Sequence, residues 1–131
     1  MMKKLNNWFE ISEKDYMWYI LQGYEIIDEQ GDGVTWQLDD VPHREDGPAY
    51  IGVNGTRIYH IHGDIHRIDG PAVEGANGTR EWWLYGSRHR TDGPAIEYTD
   101  GTCEWWINSI KITETEFNER ITNENKRNTV D

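Results

Sequence analysis

From Thr35 onward, apolar and polar positions alternate in short runs, and glycine-containing dipeptides separate the runs. Four outgoing runs, 35–39, 57–62, 80–85 and 103–108, stack in one register. One column reads Trp36, Tyr59, Trp82, Trp105, and two residues on a second reads Leu38, Ile61, Leu84, Ile107. Positions i and i+2 share a face of a strand, so the two columns predict an apolar stripe on one face of a sheet. The incoming runs are expected to add Tyr50, Val73 and Ile96 to that side, with Ala49, Ala72 and Ala95 pointing the other way. Between incoming and outgoing runs stand Asn54-Gly55, Asn77-Gly78 and Asp100-Gly101, each followed by threonine. Such dipeptides suit short hairpins, whose central residues take positive φ. Gly63 and Gly86 end two outgoing runs and permit a bend.

The bend leads into His-Arg-x-Asp-Gly-Pro-Ala, which recurs at His43, His66 and His89 with a period of 23 residues. Self-similarity at a fixed period of this length marks a repeat array. Each repeat is expected to form one β-hairpin. The end units are imperfect, as terminal repeats usually are: Asp32-Gly33 lacks the threonine, and Ser109 replaces the turn glycine. Ser12-Glu13-Lys14-Asp15 starts a predicted helix with Tyr16 and Ile20 on one face, and Gly23 stops it. Thr113-Glu114-Thr115-Glu116 is a capping box for a second helix carrying Phe117 and Ile121, after which 123–131 is polar and expected to fray. The predicted organisation is a helical cap over 1–31, β-hairpin repeats over 32–112, and a capping helix with its tail over 113–131. The fold class is mainly β: an open, elongated antiparallel hairpin sheet with short terminal helices.

Composition narrows the function classes. The 131 residues suffice for one domain. Mean hydropathy is −0.87, yet the chain holds seven Trp and seven Tyr, which suits a thin structure burying a few large rings. With 13 basic and 24 acidic residues the net charge is −11. That balance opposes direct nucleic-acid binding and attraction to anionic lipid, and favours a basic protein partner or simply solubility. Cys103 stands alone, so no internal disulfide forms. No apolar run is long enough for a membrane span, and the first residues lack a signal-peptide core, so a cytoplasmic location is expected.

The triplicated His, Arg and Asp invite a catalytic or metal reading. Equivalent residues of successive hairpins lie about 9.5–10 Å apart at ordinary strand spacing. Ligands of one zinc must each approach to about 2 Å, so His43, His66 and His89 cannot share an ion. The motif residues His43, Arg44, Asp46, His66, Arg67, Asp69, His89, Arg90 and Asp92 are therefore read as turn-fixing, with each Asp bonding backbone amides and the neighbouring Arg. His60 and His62 are expected on one face near Asp64 and His66, short of a metal site. No catalytic residue, metal or cofactor is implied. Cys103 aligns with Arg57 and Arg80 and has no activating neighbour.

The repeat-breaking column Gln37, His60, Trp83, Trp106 lies on the second face, with Tyr85 two residues after Trp83 and Glu81, Glu104 and Glu97 close by. Either a terminal helix covers this face or a partner does, since exposed Trp and Tyr are enriched at binding hot spots. The candidate binding residues are Trp83, Trp106, Tyr85, His60, Glu81 and Glu104.

The segment Trp82-Trp83-Leu84-Tyr85-Gly86-Ser87-Arg88-His89, followed by Gly93 and then Asp100-Gly101, resembles the MORN repeat family over about 32–112. The departure is Arg-x-Asp inserted between His and Gly-Pro-Ala, which resembles variants in phage and large-virus proteins. The resemblance implies a single-layer antiparallel sheet that scaffolds or binds proteins, lipid binding in some members, and antitoxin-like roles in bacterial variants. The expectation is a non-catalytic, protein-binding module of phage type that binds and inhibits a host or defence protein, acting in the host cytoplasm. The alternatives are a self-associating scaffold and a metal-dependent nuclease using His89 and Asp92.

Overall fold

Two kinds of turn build each repeat, and backbone chemistry separates them. The computed structural model describes residues 1–6 and 8–128. At Asn54-Gly55 only the glycine has positive φ, 95°. The Gly55 N–H donates to Gly52 O at 3.0 Å, Gly52 N–H donates to Thr56 O at 2.7 Å, and Asn54 Oδ1 accepts from Thr56 N–H. This is a turn closed by a left-handed glycine, and Asn77-Gly78 and Asp100-Gly101 repeat it. At the opposite end of the repeat, both residues of His62-Gly63 and of Tyr85-Gly86 have positive φ, as do Asp39-Asp40 and Asn108-Ser109. Those values define two-residue turns of type I′. They close small hairpins, His60–Ile61 with Asp64–Ile65 and Trp83–Leu84 with Ser87–Arg88. Each repeat thus holds two hairpin turns where one was expected, and Gly63 and Gly86 sit in a turn instead of easing a bend.

The Asn-Gly hairpins join an open antiparallel sheet of ten strands. Its order is Ile110–Ile112, Cys103–Ile107, Ile96–Glu97, Arg80–Glu81, Val73–Glu74, Arg57–Ile58, Tyr50–Gly52, Gly33–Leu38, Glu25–Asp28, with Val41–Pro42 also pairing with Gly33–Leu38. In the middle repeats the outgoing strand is interrupted at Tyr59 and Trp82, where the chain passes from the large sheet into a small hairpin.

The register corrects one expectation. Thr35 and Ile58 face Tyr50, Ile58 and Glu81 face Val73, and Glu81 and Glu104 face Ile96. Residues directly opposite share a sheet face. Tyr50, Val73 and Ile96 therefore lie on the Thr35–Glu81–Glu104 side, away from Trp36. The alanines lie beside the aromatic column instead: Trp36, Tyr59 and Trp82 donate their N–H groups to Ala49, Ala72 and Ala95. All three alanines are 0% exposed, so these small side chains are fully enclosed beside the aromatic column.

The N-terminal segment is less helical than expected. Met2–Lys4 pairs with Glu10–Ser12, helix α1 spans Glu13–Leu21, and Glu25–Asp28 forms an outer strand of the large sheet. Ser12 caps α1 by accepting from Asp15 N–H. The buried residue of α1 is Tyr19, not the predicted pair Tyr16 and Ile20. Tyr19 joins Tyr24, Val34 and Trp36 in a core flanked by Trp8, Phe9 and Ile26. Helix α2 spans Glu114–Asn128 and includes residues expected to fray; 129–131 fall outside the described residues. Thr113 Oγ1 accepts from Glu116 N–H at its start, and Phe117 is the buried anchor. No helix among the described residues is long and apolar enough to cross a membrane.

Candidate binding faces

The seven-residue motif assigns a separate task to nearly every position. Each histidine accepts at Nδ1 from the amide of a type I′ turn in the following repeat: His43 from His62 at 2.7 Å, His66 from Tyr85 at 2.9 Å, His89 from Asn108 at 3.0 Å. Acceptance at Nδ1 leaves the ring proton on Nε2. His43 stacks on His62 with centroids 4.3 Å apart, and His66 lies 4.0 Å from the Tyr85 ring. The histidines are staples between repeats, and the residues they hold carry a left-handed φ of 47–48° that disfavours a side chain.

Each arginine lies over the aromatic ring of its own repeat: Arg44 over Trp36 at 4.1 Å, Arg67 over Tyr59 at 4.0 Å, Arg90 over Trp82 at 3.8 Å. Its Nη1 donates to the carbonyl of Pro48, Pro71 or Pro94, and its Nε to Oδ1 of Asp46, Asp69 or Asp92. Contrary to expectation, no backbone amide bonds these carboxylates among the described residues. The glycine gives the guanidinium its room, since a Cβ at Gly47 or Gly93 would stand 2.9 Å from the arginine Cζ. Glu74 and Glu97 each bridge two arginines, Arg57 with Arg67 and Arg80 with Arg90. In the first repeat the Tyr19 hydroxyl donates to Asp46 and accepts from Arg44 Nε, which docks α1 on this face. Burial pushes the Tyr19 phenol up, and its bond to Asp46 adds to the rise.

Between these arms the face is cut into three clefts in a row. The first, about 530 Å³, lies among Trp18, Tyr19, Trp36, Arg44 and Asp46. The second, about 680 Å³, shares Arg44 and Asp46 with it and reaches Tyr59, Ile61 and Ile68. The third, about 500 Å³, shares Ile68 and Asp69 with the second and reaches Trp82, Leu84 and Asp92. Ile68 fills the variable motif position and is 82% exposed between two clefts. The Asp69 and Asp92 side chains stand out at 84% and 83% exposure while their arginines lie low, at 25% and 19%.

On the opposite face, the sheet brings Trp83, Trp106, Glu81 and Glu104 together around a residue the sequence did not single out. The Arg88 guanidinium lies 4.7 Å from the Trp83 ring and 4.8 Å from the Trp106 ring, and its Nη2 bonds Glu81 at 2.8 Å. Glu104 accepts from Trp106 Nε1, the Tyr98 hydroxyl and Lys111 Nζ. The Tyr98 bond holds the Glu104 carboxyl below its ordinary range. Arg88 faces Trp83 across a hairpin, but its place in the alternation carries no motif, so only the register reveals it. His60 is half-buried in an adjoining hairpin, with Nδ1 3.4 Å from Gly63 O; burial lowers its pKa.

Two predicted placements change. Tyr85 leaves the Trp83 face, because positive φ breaks the alternation and turns its ring onto His66; it is 69% exposed at a hairpin tip. His62 parts from His60 for the same reason and stacks on His43. Among the described residues no three His, Cys, Asp or Glu converge as metal ligands. Cys103 is half-buried, its Sγ 3.7 Å from Gly101 O. No protein-family model, curated protein or solved structure matches this chain.

Proposed function

We propose that this chain is a MORN-like, non-catalytic repeat module that binds a protein partner along the three-cleft face. The observation that carries the reading is the cleft row itself: three adjoining hollows, each lined by an aromatic ring and the arginine stacked on it, with outward carboxylates at Asp69 and Asp92. Periodic hollows of this kind suit an extended partner that places one side chain in each. The net charge of −11 steers basic partners toward the protein. The Trp83 face is the weaker candidate, because Trp83, Trp106, Glu81 and Glu104 already engage Arg88, Tyr98 and Lys111. The phage-type inhibitor role rests on the resemblance of the repeat and on the acidity.

Selection of a displayed peptide library on the wild type, followed by affinity measurement on Ile68→Asp, tests this reading. Ile68 is 82% exposed and walls two clefts, so the variant changes the face without disturbing the core. Selected peptides should lose about tenfold or more in affinity, the equivalent of roughly 1.4 kcal/mol. Failure to select any peptide, or undiminished binding to the variant, refutes it. A second reading, self-association, is favoured by the outer strand Ile110–Ile112, which pairs on one side only and leaves Ile110 64% exposed. A mass that rises with concentration would support that one.

A further inference from the structure

The spacing of the clefts restricts the conformation of what fills them. Equivalent residues of successive repeats stand two strands apart, about 9.4–9.8 Å at ordinary strand separation. A polyproline II helix advances about 3.1 Å per residue with three residues per turn, or about 9.3 Å between side chains on one edge. An extended β-strand returns to the same side every 6.6–6.8 Å or so and falls out of step at once. An α-helix comes closest at seven residues, roughly 10.5 Å, and slips by about 1 Å at every cleft. The clefts also open on a sheet face, where side chains and not free backbone groups meet a ligand. A polyproline II segment needs no backbone partners, whereas an added strand does.

The chemistry of the rim supplies the second restriction. Arg67 and Arg90 bond Oδ1 of Asp69 and Asp92, leaving the two Oδ2 atoms without a hydrogen bond among the described residues. The carboxylate of Glu45 adds to the wall of the second cleft with 77% exposure, and Asp15 adds to the first. Below this rim the floor is mixed: the Arg67 and Arg90 guanidiniums lie over Tyr59 and Trp82, with Ile61 beside them in the second cleft and Leu84 in the third, while Ile68 stands exposed on the wall the two clefts share. Helix α1 walls the first cleft with Asp15, Trp18 and Tyr19 and so closes that end of the row. Resting on the reading of the clefts as the binding face, we infer that the occupant is a polyproline II segment of a partner protein with a lysine or arginine at every third residue. Its apolar residues enter the clefts, its cations meet Asp69 and Asp92, and its end abuts α1.

The test is fluorescence anisotropy at low salt with labelled (Pro-Pro-Lys)4 and with its isomer in which all the lysines are grouped at one end. The periodic peptide should bind about tenfold more tightly than the isomer, a difference that equal charge and composition cannot produce. Asp69→Asn with Asp92→Asn should abolish that preference. Glu45→Lys, at an exposed wall position outside the arginine stacks, should weaken the periodic peptide even if the double variant fails to fold. Glu104→Gln on the opposite face should leave it unchanged. Equal binding of the two isomers, or indifference to both the aspartate and Glu45 variants, overturns the inference. If library selection still yields peptides sensitive to Ile68→Asp, the cleft face stands and only the polyproline II occupant falls. If both fail, the face itself is wrong.

Discussion

Replacing His66 by leucine and, separately, by asparagine isolates the staple between repeats. The two substitutes share one branching shape, and only asparagine keeps an acceptor near the place of the imidazole Nδ1. His66 is 6% exposed, and its Nδ1 lies 2.9 Å from the amide of Tyr85, whose φ is 47°. Leucine removes the acceptor from that amide, and both substitutes lose the ring that lies 4.0 Å from the Tyr85 ring. Losing one partner of a buried hydrogen bond costs about 1–3 kcal/mol. Tyr85 is 69% exposed, so water can reach part of the turn, which places the difference near 1 kcal/mol. In urea unfolding followed by tryptophan fluorescence, the leucine variant should have its midpoint about 0.3–1 M below that of the asparagine variant, with the slope unchanged. Amide exchange at Tyr85 should quicken in the leucine variant alone. Hydrophobicity argues the other way, since leucine is the better core residue. A leucine variant as stable as the asparagine variant would show that the histidine is there for packing and that the bond to the turn contributes nothing.

Ala72→Leu places extra atoms at a site with 0% exposure, where Ala72 O accepts from Tyr59 N–H and Ala72 N–H donates to Glu81 O. Overpacking there should cost about 1–3 kcal/mol in the same urea assay, and an unchanged midpoint would show a void the packing does not contain. His60 governs part of the pH dependence. Burial lowers its folded pKa below the ordinary 6.5, so the unfolded chain binds the proton more readily. The stability it permits is full above 6.5 and falls as pH drops through the lowered folded value. His60→Gln should flatten the pH profile of the unfolding midpoint below 6.5, and a profile of the same slope would remove His60 from the account.

The repeat was legible because its signals are local. Asn54-Gly55 and its equivalents encode a turn in adjacent residues, Ser12 and Thr113 cap helices three residues ahead of the amides they bind, and the alternation of Trp36 with Leu38 needs only neighbours in sequence. The second turn was hidden because its first residue differs in each repeat, His62, Tyr85 and Asn108, so no shared dipeptide marks it, and Tyr85 has no local preference for positive φ. The bond that holds each of them comes from a histidine 19 positions earlier, across the gap between repeats. Once that turn is missed, strict alternation carries Tyr85 and His62 to the wrong face.

The chain's local chemistry prescribes a hairpin array with capped helices and the 23-residue period, whereas the histidine of each His-Arg-x-Asp-Gly-Pro-Ala copy finds its task only in the next repeat. The array, the caps and the period follow from turn propensity, alternation and spacing, which act within a few residues. Tertiary contact alone sets which side the alanines take, the sandwiching of Arg88 between Trp83 and Trp106, and the opening of three clefts between arginine stacks. Each depends on strand register, and register is decided only when distant strands meet and the whole face packs at once.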